Sequence, residues 1–107
     1  MDGKKVNIIG TEYTIKEDEN LAKTDRDGEC RVYAKEIYVR KTEDLLDDIA
    51  NDELKEIRKA EVLRHELWRV VFFESGLEDY CDNEQLVDFL AKQSPKVFKI
   101  FQELGIL

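Results

Sequence analysis

Histidine is almost missing from this chain: one residue, His65, in 107. A centre that needs two imidazoles is therefore excluded. Proline is as scarce, with one residue at position 95, and no linker or low-complexity stretch interrupts the chain. The two cysteines, Cys30 and Cys81, lack the density of a disulfide scaffold and the spacing of a Cys-x-x-Cys zinc knuckle. We expect reduced thiols in a cytosolic protein. No run is apolar enough for a signal peptide or long enough for a membrane span. Positive charge is also short: 17 bases face 25 acids, a formal net charge of −8. Repulsion from phosphates argues against nucleic acid as a partner. A basic partner, or mimicry of nucleic acid by the acidic stretch Glu43–Glu56, stays open beside the plainer reading that the acids keep the protein soluble.

What is present is a composition 42% hydrophobic and 39% charged, which suits one globular domain, 1–107, around one modest core. Its first part reads as strand. Residues 4–16 form two short apolar runs around Gly10-Thr11, a hairpin pattern. Residues 17–29 are polar and carry the turn signal Asp27-Gly28, so a loop is expected. Residues 30–40 alternate again, with a bend near Ala34-Lys35. From Thr42 the pattern turns helical. Thr42 suits a cap for a short acidic helix. A stronger helix is predicted over 52–74, charged in its first half, apolar on most sides in its second, and stopped by Ser75-Gly76. Residues 77–82 connect. Asp82 or Asn83 can cap a helix over 84–93, and Ser94-Pro95 reads as the start of a last helix. Strands before helices define an α+β fold: a small antiparallel sheet of about three to four strands over 1–41, packed on a helical part, 42–107, with about three helices.

The lone histidine opens His65-Glu66-Leu67-Trp68-Arg69. At ~100° per residue, His65, Glu66 and Arg69 share an arc of roughly 100° on one helix face. This is the zinc-peptidase pattern His-Glu-x-x-His with its last letter changed. In that pattern two imidazoles four residues apart grip one Zn²⁺ while the glutamate acts as general base. A guanidinium is always charged and cannot ligate a metal.

Three further stretches extend the likeness: EVLRHEL at 61–67, FFESGL at 72–77 and NEQLVDFLAKQSPKV at 83–97. On these the chain resembles small phage and prophage metallopeptidases of the ImmA/IrrE-type and SprT-like zincins. The resemblance covers about a third of the chain well and the remainder in outline. It implies a zincin-like bundle, with His65 as first metal ligand, Glu66 as general base and Glu84 as third ligand. The second ligand belongs at 69, where Arg69 stands. Loss of one protein ligand and gain of a cation both weaken zinc binding, so no cofactor is expected, and zinc only if the protein is active. Arg69 suggests its own replacement for the ion: an Arg69–Glu84 pair shared with Glu66 or His65, whose breakage would strand a charge at a cost of about 3–5 kcal/mol.

Two functions follow. The first is a non-catalytic protein on a peptidase scaffold in a bacterial host's cytoplasm, holding a protein partner such as a repressor or a defence component. The second is an active zinc peptidase with a substitute ligand, for which Cys81, three residues before Glu84, is the candidate. An arginine introduced at 69 into an ordinary enzyme is a further origin for the pattern. Cys30 has no free base to make it a nucleophile. Trp68 marks a binding hot spot if exposed, although a core contact is the commoner fate. The basic island Arg58, Lys59 and Arg64 reads as solvated, and the stripe Val97, Phe98, Ile100, Phe101 and Leu104 as core more often than as a groove ligand. The apolar end Gly105-Ile106-Leu107 suits docking or self-association, and the oligomeric state stays open.

Overall fold

The structure is a computed structural model describing residues 2–44 and 51–107. The first strands, β1 (Lys5–Ile8) and β2 (Thr11–Glu17), form an antiparallel hairpin. Ile9 and Gly10 make its two-residue turn, both with positive φ, 49° and 90°, the geometry that matches strand twist. The Asn7 side chain caps the turn by accepting from Gly10 N–H at 2.9 Å. A single helical turn, α1 (Asn20–Lys23), lies in the segment expected to be loop. It anchors itself by burying Leu21. The hairpin β3 (Gly28–Arg31) and β4 (Glu36–Val39) then completes a four-stranded sheet in the order β1-β2-β4-β3. Its bend falls as expected, with Lys35 at φ 58°.

The sheet is mixed, not wholly antiparallel. β2 and β4 run parallel, with Ile15 opposite Ile37. The chain leaves β2 through α1, passes beyond β4's position to lay down β3, and returns, so β4 fills the gap beside β2. Buried Ile15, Ile37 and Val39 make that central pair the most apolar part of the sheet, which favours its interior placement.

Residues 42–44 form a 3₁₀ turn, and the Thr42 hydroxyl donates to Glu56 at 2.8 Å. The rest of the acidic approach, 45–50, lies outside the described residues. The long helix α2 (Asp52–Glu74) begins at Asn51, whose side chain accepts from Leu54 N–H at 2.9 Å. It ends as expected at Ser75-Gly76. Gly76 N–H reaches the Phe73 carbonyl at 3.2 Å and Leu77 N–H the Phe72 carbonyl at 2.8 Å, a Schellman closure with Gly76 at φ 76°. The second half of α2 lies on the sheet. Val70, Tyr13 and Ile37 are wholly buried there, joined by Ile8 and Ile15.

The two helices expected over 84–93 and 95–104 are one, α3 (Glu84–Glu103), with Pro95 inside it. Asn83 is the cap, accepting from Leu86 N–H at 3.1 Å. Proline in a helix orphans the carbonyl four residues earlier, here Ala91. Arg64 on α2 donates its Nε–H to that carbonyl at 2.6 Å. Val87, Ala91 and Ser94 are buried on α3, at the i, i+4, i+7 spacing of a packed face. Ser94 therefore faces α2 rather than capping a new helix, and its Oγ accepts from Trp68 Nε1–H at 3.3 Å. Among the described residues no helix is long and apolar enough to cross a membrane.

A second tie fixes the hairpin to the end of α2. Glu74 accepts from the Tyr13 hydroxyl at 2.6 Å, the Thr11 hydroxyl at 2.7 Å and Lys35 Nζ at 3.2 Å. These donors, the Tyr13 hydroxyl foremost, hold its carboxyl below the usual carboxylate range.

Two predictions follow from these ties. Arg64→Met should cost about 1–2 kcal/mol in urea unfolding by stranding the Ala91 carbonyl. Pro95→Ala supplies the missing N–H and should remove most of that loss in the double variant. Because the Glu74 carboxyl is lowered on folding, its contribution is complete above the unfolded value of 4.5 and is lost as pH falls through the folded one. Glu74→Gln should therefore melt below the wild type at neutral pH, and the two melting curves should converge in acid.

Candidate functional site

The face of α2 that carries the motif looks into an open cleft of about 570 Å³, walled by β3 on one side and by the start of α3 on the other. Gly28 makes the approach of β3 possible. A Cβ there would stand 2.8 Å from Val62 Cγ1 and 3.0 Å from Glu66 Cγ. Glycine at a strand end here serves close contact, whereas Asp27-Gly28 reads in sequence only as a turn. The contact covers Glu66, which is 5% exposed, with Oε2 lacking any hydrogen-bond partner.

Both walls contribute charge. His65 points its Nε2 at α3, 2.9 Å from Asp88 Oδ1 and 3.3 Å from Glu84 Oε2. Its other ring nitrogen, Nδ1, lies 3.6 Å from Glu66 Oε1. Arg69 Nη2 pairs with Glu84 Oε1. Glu84 thus bridges the two, one oxygen for the guanidinium and one turned toward the imidazole. Glu84 and Asp88 are one helical turn apart, so their carboxylates stack on the same face of α3. That spacing was the sequence signal for Asp88, which the motif-based reading passes over.

The structure therefore brings His65, Glu66, Arg69 and Glu84 into one cleft. The burial expected for the Arg69–Glu84 pair does not hold: the Glu84 side chain is 59% exposed and that of Arg69 23%. Water screens such a pair, so the cost of about 3–5 kcal/mol reckoned for a buried one does not apply.

Cys81 turns away. Its thiol donates to the Arg69 carbonyl at 3.3 Å, and it is not part of the cluster whose ligand atoms converge. Burial raises its pKa, with Asp82 and Glu78 adding to the shift. Both cysteines are free. Burial, reinforced by the Glu66 carboxylate, pushes the Cys30 thiol up to about 12, so Cys30 on β3 stays protonated at neutral pH. Trp68 is half-buried against α3 and stacks obliquely on Phe72, on a helix side turned from the cleft. The basic island divides. Arg58 reaches Asp27 at 2.9 Å across the cleft, Lys59 pairs with Glu17, and Arg64 serves α3.

Zinc held by His65, residue 69 and Glu84 does not fit these residues. The second of the three positions is a guanidinium already engaged with the third. The Glu66 carboxylate also lies beside Nδ1, not beside the Nε2 on which Glu84 and Asp88 converge. No family model, curated protein or solved structure matches this chain.

Arg69→Met should lower stability by no more than about 1 kcal/mol in urea unfolding, as for a screened pair. A loss above about 3 kcal/mol would mean that Glu84 is dry in solution.

Proposed function

We propose that this chain is a zinc-peptidase-like scaffold that no longer hydrolyses peptides and works by holding a segment of a protein partner in the cleft beside β3. The Arg69–Glu84 pair carries the reading. It engages the carboxylate that would be the third zinc ligand, and it stands where a second imidazole would be. Removing Zn²⁺-activated water removes the nucleophile of that chemistry, while the groove beside the helix persists.

The cleft suits an extended segment. β3 pairs with β4 on one side only, and Gly28, Glu29 and Cys30 line the cleft. An edge strand offers alternate N–H and C=O groups to a peptide laid along it. Side chains of both signs border it, with Arg26 and Arg58 among Asp27, Glu29 and Glu61. A mixed-charge peptide is a better match than a polyanion, in keeping with the net charge of −8. We place the protein in the cytoplasm of a bacterial host and read it as of phage or prophage origin, with a repressor or a defence component as the partner class and no role for nucleic acid.

Two measurements test this. Incubated with an unfolded polypeptide and added zinc, the wild type should cut no faster than Glu66→Gln; chelator-sensitive cleavage lost in Glu66→Gln would overturn the reading. A photo-crosslinking residue at Arg26, on the cleft rim, should give a discrete protein adduct in host lysate, and one at Lys5, on the opposite edge strand, should not. Equal labelling from both positions would remove the cleft as the binding surface.

A further inference from the structure

The apolar stripe on the second half of α3 is open rather than core. Phe89, Val97, Phe98, Ile100 and Leu104 are all exposed, Ile100 at 52% and Leu104 at 67%. Its course follows from the unbroken helix. Because α3 runs through Pro95, residues Phe89, Val97, Ile100 and Leu104 fall at i, i+8, i+11 and i+15 and line one side. At ~100° per residue that side is turned roughly 120° from the buried line of Val87, Ala91 and Ser94. The face packed on α2 and the bare apolar face are thus two different faces. Phe98, whose ring lies 6.4 Å from that of Phe101, joins the bare face to an apolar groove of about 180 Å³ against Leu67, Trp68 and Val71.

Area and charge both point to what covers it. The exposed parts of these five side chains and of Ile106 leave open roughly 600 Å², the upper end of the largest patch usual on a monomer. Two such faces laid together bury about 1,200 Å², where specific interfaces begin, before the groove is counted. The chain as a whole carries −8, yet residues 89–102 hold three lysines and no acid, so copies repel least along this face. One edge of the stripe carries Lys96, Lys99 and Glu103. With two copies antiparallel and crossing near Ile100, Glu103 of each falls beside Lys96 and Lys99 of the other, and Leu104 of each lies opposite Val97. The surface is therefore complementary to itself, as a two-fold interface requires.

We propose that this face of α3 is a homodimer interface, in which two copies pack α3 antiparallel about a two-fold axis near Ile100. The cleft lies on the Glu84 and Asp88 side of α3, so the dimer leaves both clefts open. It requires neither a bound peptide nor the loss of hydrolysis, and stands apart from the reading of the cleft.

The test is sedimentation equilibrium of the full chain. A species of twice the chain mass should form with a dissociation constant on the order of micromolar or tighter. Ile100→Asp and Leu104→Asp should each weaken it about a hundredfold or more. Both residues are exposed in the single chain, so circular dichroism should show the fold unchanged. Leu54→Asp, at an exposed position on α2, should leave the dimer intact. In a Cys30→Ser/Cys81→Ser background, Ile100→Cys should form an interchain disulfide on mild oxidation. Phe89→Cys should not, since antiparallel pairing holds its two copies roughly 35 Å apart at 1.5 Å per residue. A wild type that stays monomeric at about 100 μM would overturn the dimer and leave the face to a different occupant. A dimer that survives both aspartates on the stripe, or that Leu54→Asp abolishes, would overturn the interface, and ready crosslinking of Phe89→Cys would overturn the antiparallel arrangement.

Discussion

The structure depends on the burial of one helix face. The sheet has a single apolar side, and the second half of α2 covers it, with Val70 closed off against Tyr13 and Ile37. Such burial contributes on the order of 25 cal/mol per Å² of apolar surface. It also fixes the rotation of α2. Once Val70 faces the sheet, His65 and Arg69 must look past the β3 edge, and Glu66 must lie under Gly28. The position of the cleft is thus a by-product of core packing.

Polar contacts then settle what the packing leaves undecided. Glu74 locks the β1–β2 hairpin to the end of α2, and Arg64 locks α3 alongside. Both use a charged group to satisfy partners at the edge of the core, where hydrogen bonds involving ions are the stronger ones. The cleft departs from this thrift. Glu66 is buried with Oε2 unpartnered, and the carboxylates of α3 face an imidazole and a guanidinium. Local cost concentrated in a concave place is a mark of function.

Much of this was legible in the residues. The α+β order, α2 from Asp52 to Glu74, its glycine stop and the Asn83 cap follow from periodicity and capping. The company of His65, Glu66, Arg69 and Glu84 followed from the motif and from the resemblance. What escaped depends on distant contacts. Ser94-Pro95 has the local form of a helix start, and only Arg64, 27 residues before Ala91, lets the helix continue. The parallel pairing of β2 with β4 is set by the path of the whole front half, which no window of a few residues contains. Gly28 looks like a turn because its use, nearness to Val62 and Glu66, involves a segment far along the chain. The depth of Glu84 was overestimated because a motif specifies neighbours and not solvent.

β3 is only four residues long and sits at the rim of its sheet. Glu29 holds Arg26 at 2.7 Å and Arg31 at 2.8 Å, so the strand has charges of both signs fixed along it. A short, charge-studded rim is a poor template for stacking identical chains, because each added copy would set like charges in register. That rim, though at the edge of the sheet, is therefore guarded against fibril growth by its own kind.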